Sequence, residues 1–384
     1  MSLFIIFGIT MTSVAPTGSL FAMVSDEFVS SSTWAPSSTC GGAPFGPCSA
    51  NTVCCIDPAT HATQGACYKT QDCTQLKDEN VTLGLRLVRI DLESGDFHTS
   101  ASMPLPLHSG ALTRPVADGK GQLFVQVSVA GGARAGYSVA TYRSMVPAAP
   151  EHVSSCALDA KVSGLWFDAG AGGSGALLAS DENGTALYEL DASRCNATLR
   201  FAMPVQMVNF EPPPVPGMAP FAMPPMAVVD DLAAAGGGPS TLHYIAGRSV
   251  IGVELGMGRV VSNTTFTMNL ISQQLALVGP GLLAVGSSRG VLLFNATDAS
   301  EAHARAVQLP ADAGVLWAVS AAQHVLFNQA ENRSVPTSTV TTIEGVDLVG
   351  GQGVVYRSPV EPMICAPGAY SCMTDLFSFV DGSM

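Results

Sequence analysis

Charged residues are scarce in this chain of 384 residues, at 12% of the total, and most of them are acidic. Seventeen lysines and arginines stand against thirty aspartates and glutamates, which leaves a net charge of −13. A surface that binds nucleic acid needs clustered basic residues to replace the counterions of the phosphates. The charge balance therefore argues against a nucleic-acid partner.

Long apolar runs are also missing, since no stretch reaches the ~18 residues that a membrane-spanning helix requires, and we expect no transmembrane segment. A short apolar run, Leu3–Ile9, is followed by small residues at Thr17–Ser19 and at Ala22. This arrangement is typical of a secretory signal peptide, although no basic residue precedes the run. We predict a signal peptide over residues 1–22 and a flexible Ser/Thr-rich segment over residues 23–39.

Helical periodicity is absent as well: no stretch of helical length shows an apolar period of 3.6 residues. Short apolar segments instead alternate with turn residues, and the chain holds 39 glycines and 25 prolines. Leu177–Ser180 and Thr185–Asp191 are predicted to form a β-hairpin around Asn183 and Gly184, because an Asn-Gly turn lets both central residues take positive φ. The pattern predicts an all-β fold.

The chain repeats itself: residues 87–104 align without a gap with residues 187–204, and residues 175–204 align with residues 281–310. The spacing is twice the ~40–45 residues of one four-stranded propeller blade. These strand–turn–strand units resemble a β-propeller over residues 83–357, without the diagnostic motif of any particular family. The resemblance implies six blades, with five or seven as alternatives. A β-helix or a pair of β-sandwiches is the rival architecture.

The ends of the ring are predicted to share one blade. Successive repeats end near Pro104, Leu158, Pro204, Asn269, Pro310 and Thr342. Residues 345–357 resemble the first two strands of a further blade, and residues 85–104 resemble the last two. Joining them would close the ring and remove its exposed edges. Residues 358–384 would then form a tail with its own cysteine pair.

The ten cysteines fall into even groups, which predicts disulfides. Six lie within residues 40–73, followed by two separate pairs: Cys40, Cys48, Cys54, Cys55, Cys67 and Cys73, then Cys156 with Cys195, and Cys365 with Cys372. A segment as short as 40–73 cannot bury a core and needs about three bridges, so it is predicted to be a small disulfide-rich module at the N-terminal side of the propeller. Its connectivity is open among the 15 that six cysteines allow. Crosswise bonding of the two later pairs also stays open.

The adjacent Cys54 and Cys55, in the middle of six cysteines, resemble the pattern of cystine-knot miniproteins and hevein-like chitin-binding modules. Hevein-like modules place aromatic residues just after the pair, whereas Ile56-Asp57-Pro58 follows here. The resemblance implies either a sugar- or protein-binding module or a structural appendage held by disulfides.

Six N-glycosylation sequons accompany the cysteines. Their asparagines are Asn80, Asn183, Asn196, Asn263, Asn295 and Asn332. Sequons at this number, together with cysteines in even groups, favour the secretory pathway and an extracellular location.

No catalytic constellation is apparent, and we assign no catalytic or cofactor-binding residue. Gly286–Gly290 formally matches G-x-S-x-G, but an apolar strand follows where a nucleophile elbow needs a helix, so a hairpin turn is predicted. The seven histidines lack the spacing of a metal site. Asp181–Asn183 and Asp230–Asp231 could offer oxygens to Ca²⁺, although such residues more commonly serve turns. Ca²⁺ is the one cofactor considered.

Residues 203–226 form a Pro- and Met-rich insertion between repeats. Prolines at this density prevent ladder pairing, and methionines offer an adaptable apolar surface. The insertion is either a partner-binding loop or a loop packed over its own blade.

Three functions follow from these observations. The first, which we favour, is a secreted glycoprotein that acts as a binding scaffold for an extracellular protein or glycan. The second is an extracellular hydrolase of the lactonase type with a metal in the propeller channel. The third is a carbohydrate-binding protein that uses its cysteine-rich module.

Overall fold

The structure is a computed structural model. It describes residues 18–33, 35–37, 53–56, 63–68, 77–105, 110–111, 113, 115–118, 120–129, 136–143, 149–158, 162–169, 175–181, 183–207, 227–230, 239–287, 290–297, 300–307, 313–320, 324–331, 341–349, 353–357 and 371–380.

Strands make up almost all of the regular structure in these ranges. The first part of the chain contains β1 (Ser19–Thr33), β2 (Ala35–Ser37), β3 (Val53–Ile56), β4 (Thr63–Tyr68), β5 (Lys77–Asp91), β6 (Phe97–Thr99) and β7 (Met103–Leu105). The next part contains β8 (Gly110–Ala111), β9 (Val116–Ala117), β10 (Gln122–Val129), β11 (Gly136–Arg143), β12 (Glu151–Ala157), β13 (Val162–Asp168), β14 (Ala176–Asp181), β15 (Ala186–Asp191) and β16 (Asn196–Ala202).

The second half continues in the same way. Its strands are β17 (Ala227–Asp230), β18 (Thr241–Ala246), β19 (Ser249–Glu254), β20 (Val260–Thr265), β21 (Leu270–Gly279), β22 (Leu282–Ser287), β23 (Gly290–Asn295), β24 (Arg305–Val307), β25 (Ala313–Ser320), β26 (Val325–Glu331), β27 (Thr341–Asp347), β28 (Gly353–Arg357) and β29 (Ser371–Val380). One 3₁₀ turn, Glu301–His303, lies between β23 and β24.

Six small antiparallel sheets form a ring, so the protein is a six-bladed β-propeller, as the repeats predict. Blade 1 has the strand order β29, β1, β5, with β6 and β7 both on the outer side of β5. Blade 2 runs from β8 and β9 through β10 and β11 to β12, and blade 3 from β13 to β16. Blades 4, 5 and 6 take β17–β20, β21–β24 and β25–β28 in order.

The core consists of one apolar cluster at each junction between neighbouring blades. Leu20, Ala22 and Val24 pack toward blade 6, where they meet Val325 and Ile343. The alternate side chains of the same strand pack toward blade 2. Equivalent clusters join blades 2 and 3, 3 and 4, 4 and 5, and 5 and 6. Because each sheet is covered on both faces, its central strands are continuously apolar rather than alternating.

The closure of the ring differs from the prediction. Residues 341–347 and 353–357 are the third and fourth strands of blade 6, not the first two strands of a closing blade. Blade 1 is closed by the C-terminal strand β29, which pairs with β1 from Ser19↔Val380 to Glu27↔Ser371. The propeller therefore reaches beyond the predicted limits of 83–357 at both ends.

The assignment of 23–39 as a flexible segment is wrong for the residues of β1, which pairs with β5 along its whole length. The Ser/Thr-rich composition of this segment concealed a strand that pairs with β5 from Ser19 to Thr33. The assignment of 358–384 as a tail is likewise wrong for residues 371–380. The predicted signal peptide overlaps β1 at Ser19–Ala22, and residues 1–17 lie outside the described part.

The predicted hairpin turn at Asn183 and Gly184 is present between β14 and β15, but its geometry is different. Gly184 has a φ of 65°, whereas Asn183 does not have a positive φ. The Gly184 N–H donates to the Asp181 carbonyl over 3.0 Å. The Asp181 carboxylate accepts from the backbone N–H of Thr185 and of Ala186, at 2.5 and 2.8 Å. Of the two residues predicted to be left-handed, only Gly184 is, and the Asp181 side chain caps the turn.

Candidate functional site

The two faces of the propeller carry different kinds of connection. Because strands within a blade are antiparallel, the turns between first and second strands and between third and fourth strands lie on one face. We call it the turn face. The turns between second and third strands and the connections between blades lie on the opposite face. We call this the insertion face, because the two long insertions described below leave from it.

The cysteine-rich segment is one of these insertions. It lies between β1 and β5, the second and third strands of blade 1, and not ahead of the propeller as predicted. These two strands have 15 residues each, and their pairing continues past the last residue of β1 that pairs with β29, from Phe28↔Thr82 to Thr33↔Lys77. The extended ribbon carries the inserted segment away from the blade.

Within the insertion, β2, β3 and β4 form a small antiparallel sheet. Cys54 lies opposite Cys67 in this sheet. Cys54 and Cys55 are both buried and both disulfide-bonded. Cys40, Cys48 and Cys73 lie outside the described residues, and the connectivity of the insertion stays open.

The Pro- and Met-rich segment is the second insertion, because it connects the outer strand β16 of blade 3 to the inner strand β17 of blade 4. Its first residues are bound to the neighbouring turn of blade 3. The N–H of Met203 donates to the Thr185 carbonyl at 2.8 Å, and the N–H of Met207 donates to the Gly184 carbonyl at 2.9 Å. The Gln206 side chain donates to the Asn183 carbonyl at 2.8 Å. Residues 203–207 therefore pack over their own blade.

Both ends of this insertion are anchored in one apolar cluster. Met207 is fully buried, and it shares the cluster between blades 3 and 4 with Ala227, the first residue of β17. The Tyr244 hydroxyl donates to the Val205 carbonyl at 2.6 Å, which adds a bond from blade 4. Residues 208–226 lie outside the described part of the chain. The residues on either side of them, Met207 and Ala227, belong to the same cluster.

Gly184 is the residue that permits this anchoring. A Cβ atom at this position would lie 2.1 Å from the Met207 carbonyl oxygen, and the φ of 65° is strained for any other residue. Gly184, Met207 and Tyr244 are the anchor residues that sequence reasoning missed. The Asn-Gly pair was a visible signal, but it indicated a turn and not the close approach of a second segment.

Cys156 and Cys195 form a disulfide, and their Cα atoms are 5.5 Å apart. This bond is one of the pairings that the sequence predicted. Cys156 lies on β12, the outer strand of blade 2, and Cys195 lies in the turn between β15 and β16 of blade 3. The bond thus joins the outer parts of two neighbouring blades. Cys365 lies outside the described residues, and Cys372 lies on β29.

Cys195 has a φ of 58°, which is unusual for a residue other than glycine. Gly95 and Gly258 hold the corresponding place in the third turns of blades 1 and 4, with φ values of 76° and 67°. The repeat thus requires a left-handed residue here, and blade 3 alone of these three blades fills the position with a cysteine.

Four of the sequon asparagines have exposed side chains in the described part of the chain, as attachment of a glycan requires. They are Asn183, Asn196, Asn263 and Asn295. All four lie on blades 3, 4 and 5. Asn80 lies on β5 in the extended ribbon, and Asn332 lies outside the described residues.

The G-x-S-x-G match is a hairpin turn, as predicted. Gly286 and Ser287 end β22, and Gly290 opens β23 directly opposite Ser287. The Ser287 hydroxyl donates to the Gly290 carbonyl at 2.9 Å. Ser288 lies outside the described residues.

Of the carboxylates considered for Ca²⁺, Asp181 and Asp230 have structural partners, whereas Glu182 and Asp231 lie outside the described residues. Asp181 caps its own turn, and Asp230 accepts the Gly281 N–H of blade 5 at 2.7 Å. Within the described ranges, no three His, Cys, Asp or Glu residues converge as a metal site would require. Nor does any helix among these residues have the length and apolarity to cross a membrane. Binding of Ca²⁺ stays a prediction.

Two groups of buried polar side chains lie in different blades. Desolvation lowers the pKa of His243 to about 4, so this imidazole is neutral at pH 7. Its Nδ1 makes no hydrogen bond within the described structure. Arg86 donates two hydrogen bonds to the buried Asp26 carboxylate inside blade 1, of which the Nη2–Oδ1 bond is 2.9 Å. Both groups are buried inside single blades and do not form a common site, so the insertion face is the better candidate for binding.

Comparison with models of protein families and with curated proteins finds no match. Solved structures of similar fold include a protein of unknown function from Bacteroides caccae, at 10% identity and a TM-score of 0.43, over 76% of this chain and 94% of that one. Apo AztD from Citrobacter koseri has 11% identity and a TM-score of 0.35, over 93% and 98%. The dihydro-heme d1 dehydrogenase NirN in complex with DHE has 10% identity and a TM-score of 0.38, over 88% and 74%. At these values function has to be argued from this chain's own residues.

Proposed function

We propose that this protein is a secreted, disulfide-bonded glycoprotein whose insertion face binds an extracellular protein or glycan. The observation that carries the proposal is that both long insertions leave from the same face. One connects strands within blade 1, and the other connects blades 3 and 4. Segments that are far apart in the sequence thus contribute to one surface.

The construction of the two insertions supports a binding role. Cys54 and Cys55 stiffen the first through disulfides, and the second begins at the anchored Met207. Prolines within 208–226 limit the conformations that the second can take. A stiff segment loses less conformational entropy on binding than a flexible one, which favours affinity.

The oxidising compartment is supported by independent features. Disulfides persist mainly in secreted proteins and are rare in the cytosol. Cys156 and Cys195 are bonded across a blade junction, and Asn183, Asn196, Asn263 and Asn295 are exposed. A signal peptide that ended at Gly18 would leave β1 intact, whereas one that ended at Ala22 would remove its first four residues.

The first test is mass spectrometry of protein secreted from a eukaryotic host, with and without reductant and glycosidase. Five disulfides, occupied sequons and a new N-terminus before Ser19 are expected. Free thiols together with bare asparagines would contradict the extracellular assignment.

The second test locates the binding surface. Labelled protein is applied to a glycan array and to cultured cells. In one variant residues 31–79 are replaced by Asn-Gly, because Ser30 lies opposite Asn80 and a two-residue turn fits that register. In another, residues 208–226 are replaced by a Gly-Ser linker. Met257→Ala alters an exposed residue of the turn face and serves as the control.

Loss of binding in either trimmed variant, with Met257→Ala unchanged, is the expected result. Glycan binding that disappears only with residues 31–79 would favour the carbohydrate-binding alternative, in which the cysteine-rich insertion acts by itself. Binding that survives in both trimmed variants would place the site elsewhere on the propeller.

A further inference from the structure

The outer strands of the blades are exposed sheet edges. An outer strand presents unpaired backbone groups that can pair with another copy of the protein, and natural proteins protect such edges with charged residues or proline. The described outer edges of five blades carry such a residue within the strand. They are Pro104 in blade 1, Glu151 in blade 2, Arg200 in blade 3, Arg305 in blade 5 and Arg357 in blade 6.

The outer strand of blade 4 differs from the others. β20 reads Val-Val-Ser-Asn-Thr-Thr and contains neither a charged residue nor a proline. Val260 and Val261 are 41% and 46% exposed. Arg259 lies in the turn before the strand, where its guanidinium bonds the Glu254 carboxylate at 2.6 Å, whereas the charged residues of the other outer edges lie within their strands. A short uncharged segment rich in β-branched residues is the type of sequence that self-associates through its edge.

The same strand carries a sequon at its centre. Asn263 is exposed, and Thr265, which completes the sequon, is exposed as well. The strand is held in the blade by the pairing of Ile251 with Asn263 and by a hydroxyl contact of 2.8 Å between Ser249 and Thr265. A glycan on Asn263 would therefore project from a fixed edge, two residues from Val261.

We propose that the Asn263 glycan protects the edge of blade 4 and takes the place of the charged residue or proline of the other blades. A hydrated glycan cannot be accommodated between two paired strands, so it blocks edge-to-edge association of two copies. The inference rests on the proposed secretory route, because only there is Asn263 glycosylated.

The test compares variants secreted from one eukaryotic host, by size-exclusion chromatography with light scattering over a concentration series. Asn263→Gln removes the glycan, and Asn263→Lys removes it but restores a charge at the edge. Asn196→Gln is the matched control, because it removes a glycan from the outer strand of blade 3, which keeps Arg200. We expect concentration-dependent loss of monomer for Asn263→Gln alone, with the other two variants monomeric like the wild type.

Several results would overturn the inference. The inference is refuted if Asn263→Gln stays monomeric throughout the series, or if Asn263→Lys associates as strongly as Asn263→Gln. If a variant fails to fold, the folded wild type is treated with glycosidase instead, and a monomer that persists after complete removal also refutes the proposal. A bare Asn263 beside occupied Asn183 and Asn196 refutes the edge role while the secretory assignment stands. Bare asparagines at every sequon refute both.

Discussion

Removal of the Cys156–Cys195 disulfide should destabilise the propeller by an amount that the structure lets us work out. Two double variants are informative: Cys156→Ser with Cys195→Ser, and Cys156→Ser with Cys195→Gly. Both release the same junction between blades 2 and 3. They differ in the residue that occupies the left-handed position at the third turn of blade 3.

The first contribution is the loop that the bond closes. The sequence separation is 39 residues, and closing a loop of that length lowers the entropy of the unfolded chain by an equivalent of about 4 kcal/mol at 25 °C. The second contribution is the backbone. At a φ of 58° serine retains a strain of about 1 kcal/mol that glycine does not have. We therefore expect losses of about 4 kcal/mol for the serine pair and about 3 kcal/mol for the pair with glycine.

Urea unfolding followed by tryptophan fluorescence measures both effects. Trp166 is buried in blade 3, in the cluster between blades 3 and 4, and reports on the unfolding of blade 3. With a denaturant slope of about 3 kcal/mol/M, the midpoint should fall by about 1.3 M for the serine pair and about 1 M for the glycine pair. An unchanged midpoint would show that the bond does not constrain the unfolded chain. A glycine pair no more stable than the serine pair would refute the backbone part of the reasoning.

Three further predictions concern single contacts. Gly184→Ala should cost at least about 1–2 kcal/mol from the left-handed backbone and release the Met207 anchor, which limited proteolysis would detect as new cleavage beside Met207. The pKa of His243 is lowered to about 4, because the folded protein favours the neutral imidazole. The free energy of unfolding should therefore be highest above pH 6.5 and should decrease by about 3 kcal/mol as the pH falls toward 4. Urea midpoints across this range should show a flatter profile for His243→Gln than for the wild type. Arg86→Met should cost about 3–5 kcal/mol because it removes the guanidinium that holds the buried Asp26 carboxylate. Asp26→Leu combined with Arg86→Met should cost less in the same assay, and an equal cost would argue against the ion pair.

The repeat alignment predicted local structure because turns depend on neighbouring residues. Asp91 and Asp191, aligned by sequence, both cap the same turn by accepting backbone N–H groups two and three residues ahead. The second alignment holds for β14 and β22 but shifts by two residues at β23, because the turn before β23 is shorter. A gapless match cannot register a change in turn length.

β1 was missed because its residues were divided between the signal peptide predicted over 1–22 and the flexible segment predicted over 23–39. Leu20 to Val24 are buried on both faces of blade 1, by blade 6 on one side and blade 2 on the other. A strand buried on both faces lacks the alternation of apolar and polar residues that marks a half-exposed strand in a sequence. The pairing with β29 and β5 is what identifies it.

Turn residues and short apolar segments were enough to predict the all-β class, a propeller with six blades favoured over five or seven, and inner hairpins such as the one between β14 and β15. Tertiary structure alone decided that Ser19 pairs with Val380, that the cysteine-rich segment is inserted within blade 1, and that both insertions share one face. Pairing between residues so far apart is stabilised by burial at the blade junctions and by completion of the ring. Neither leaves a signal in the residues next to the paired positions.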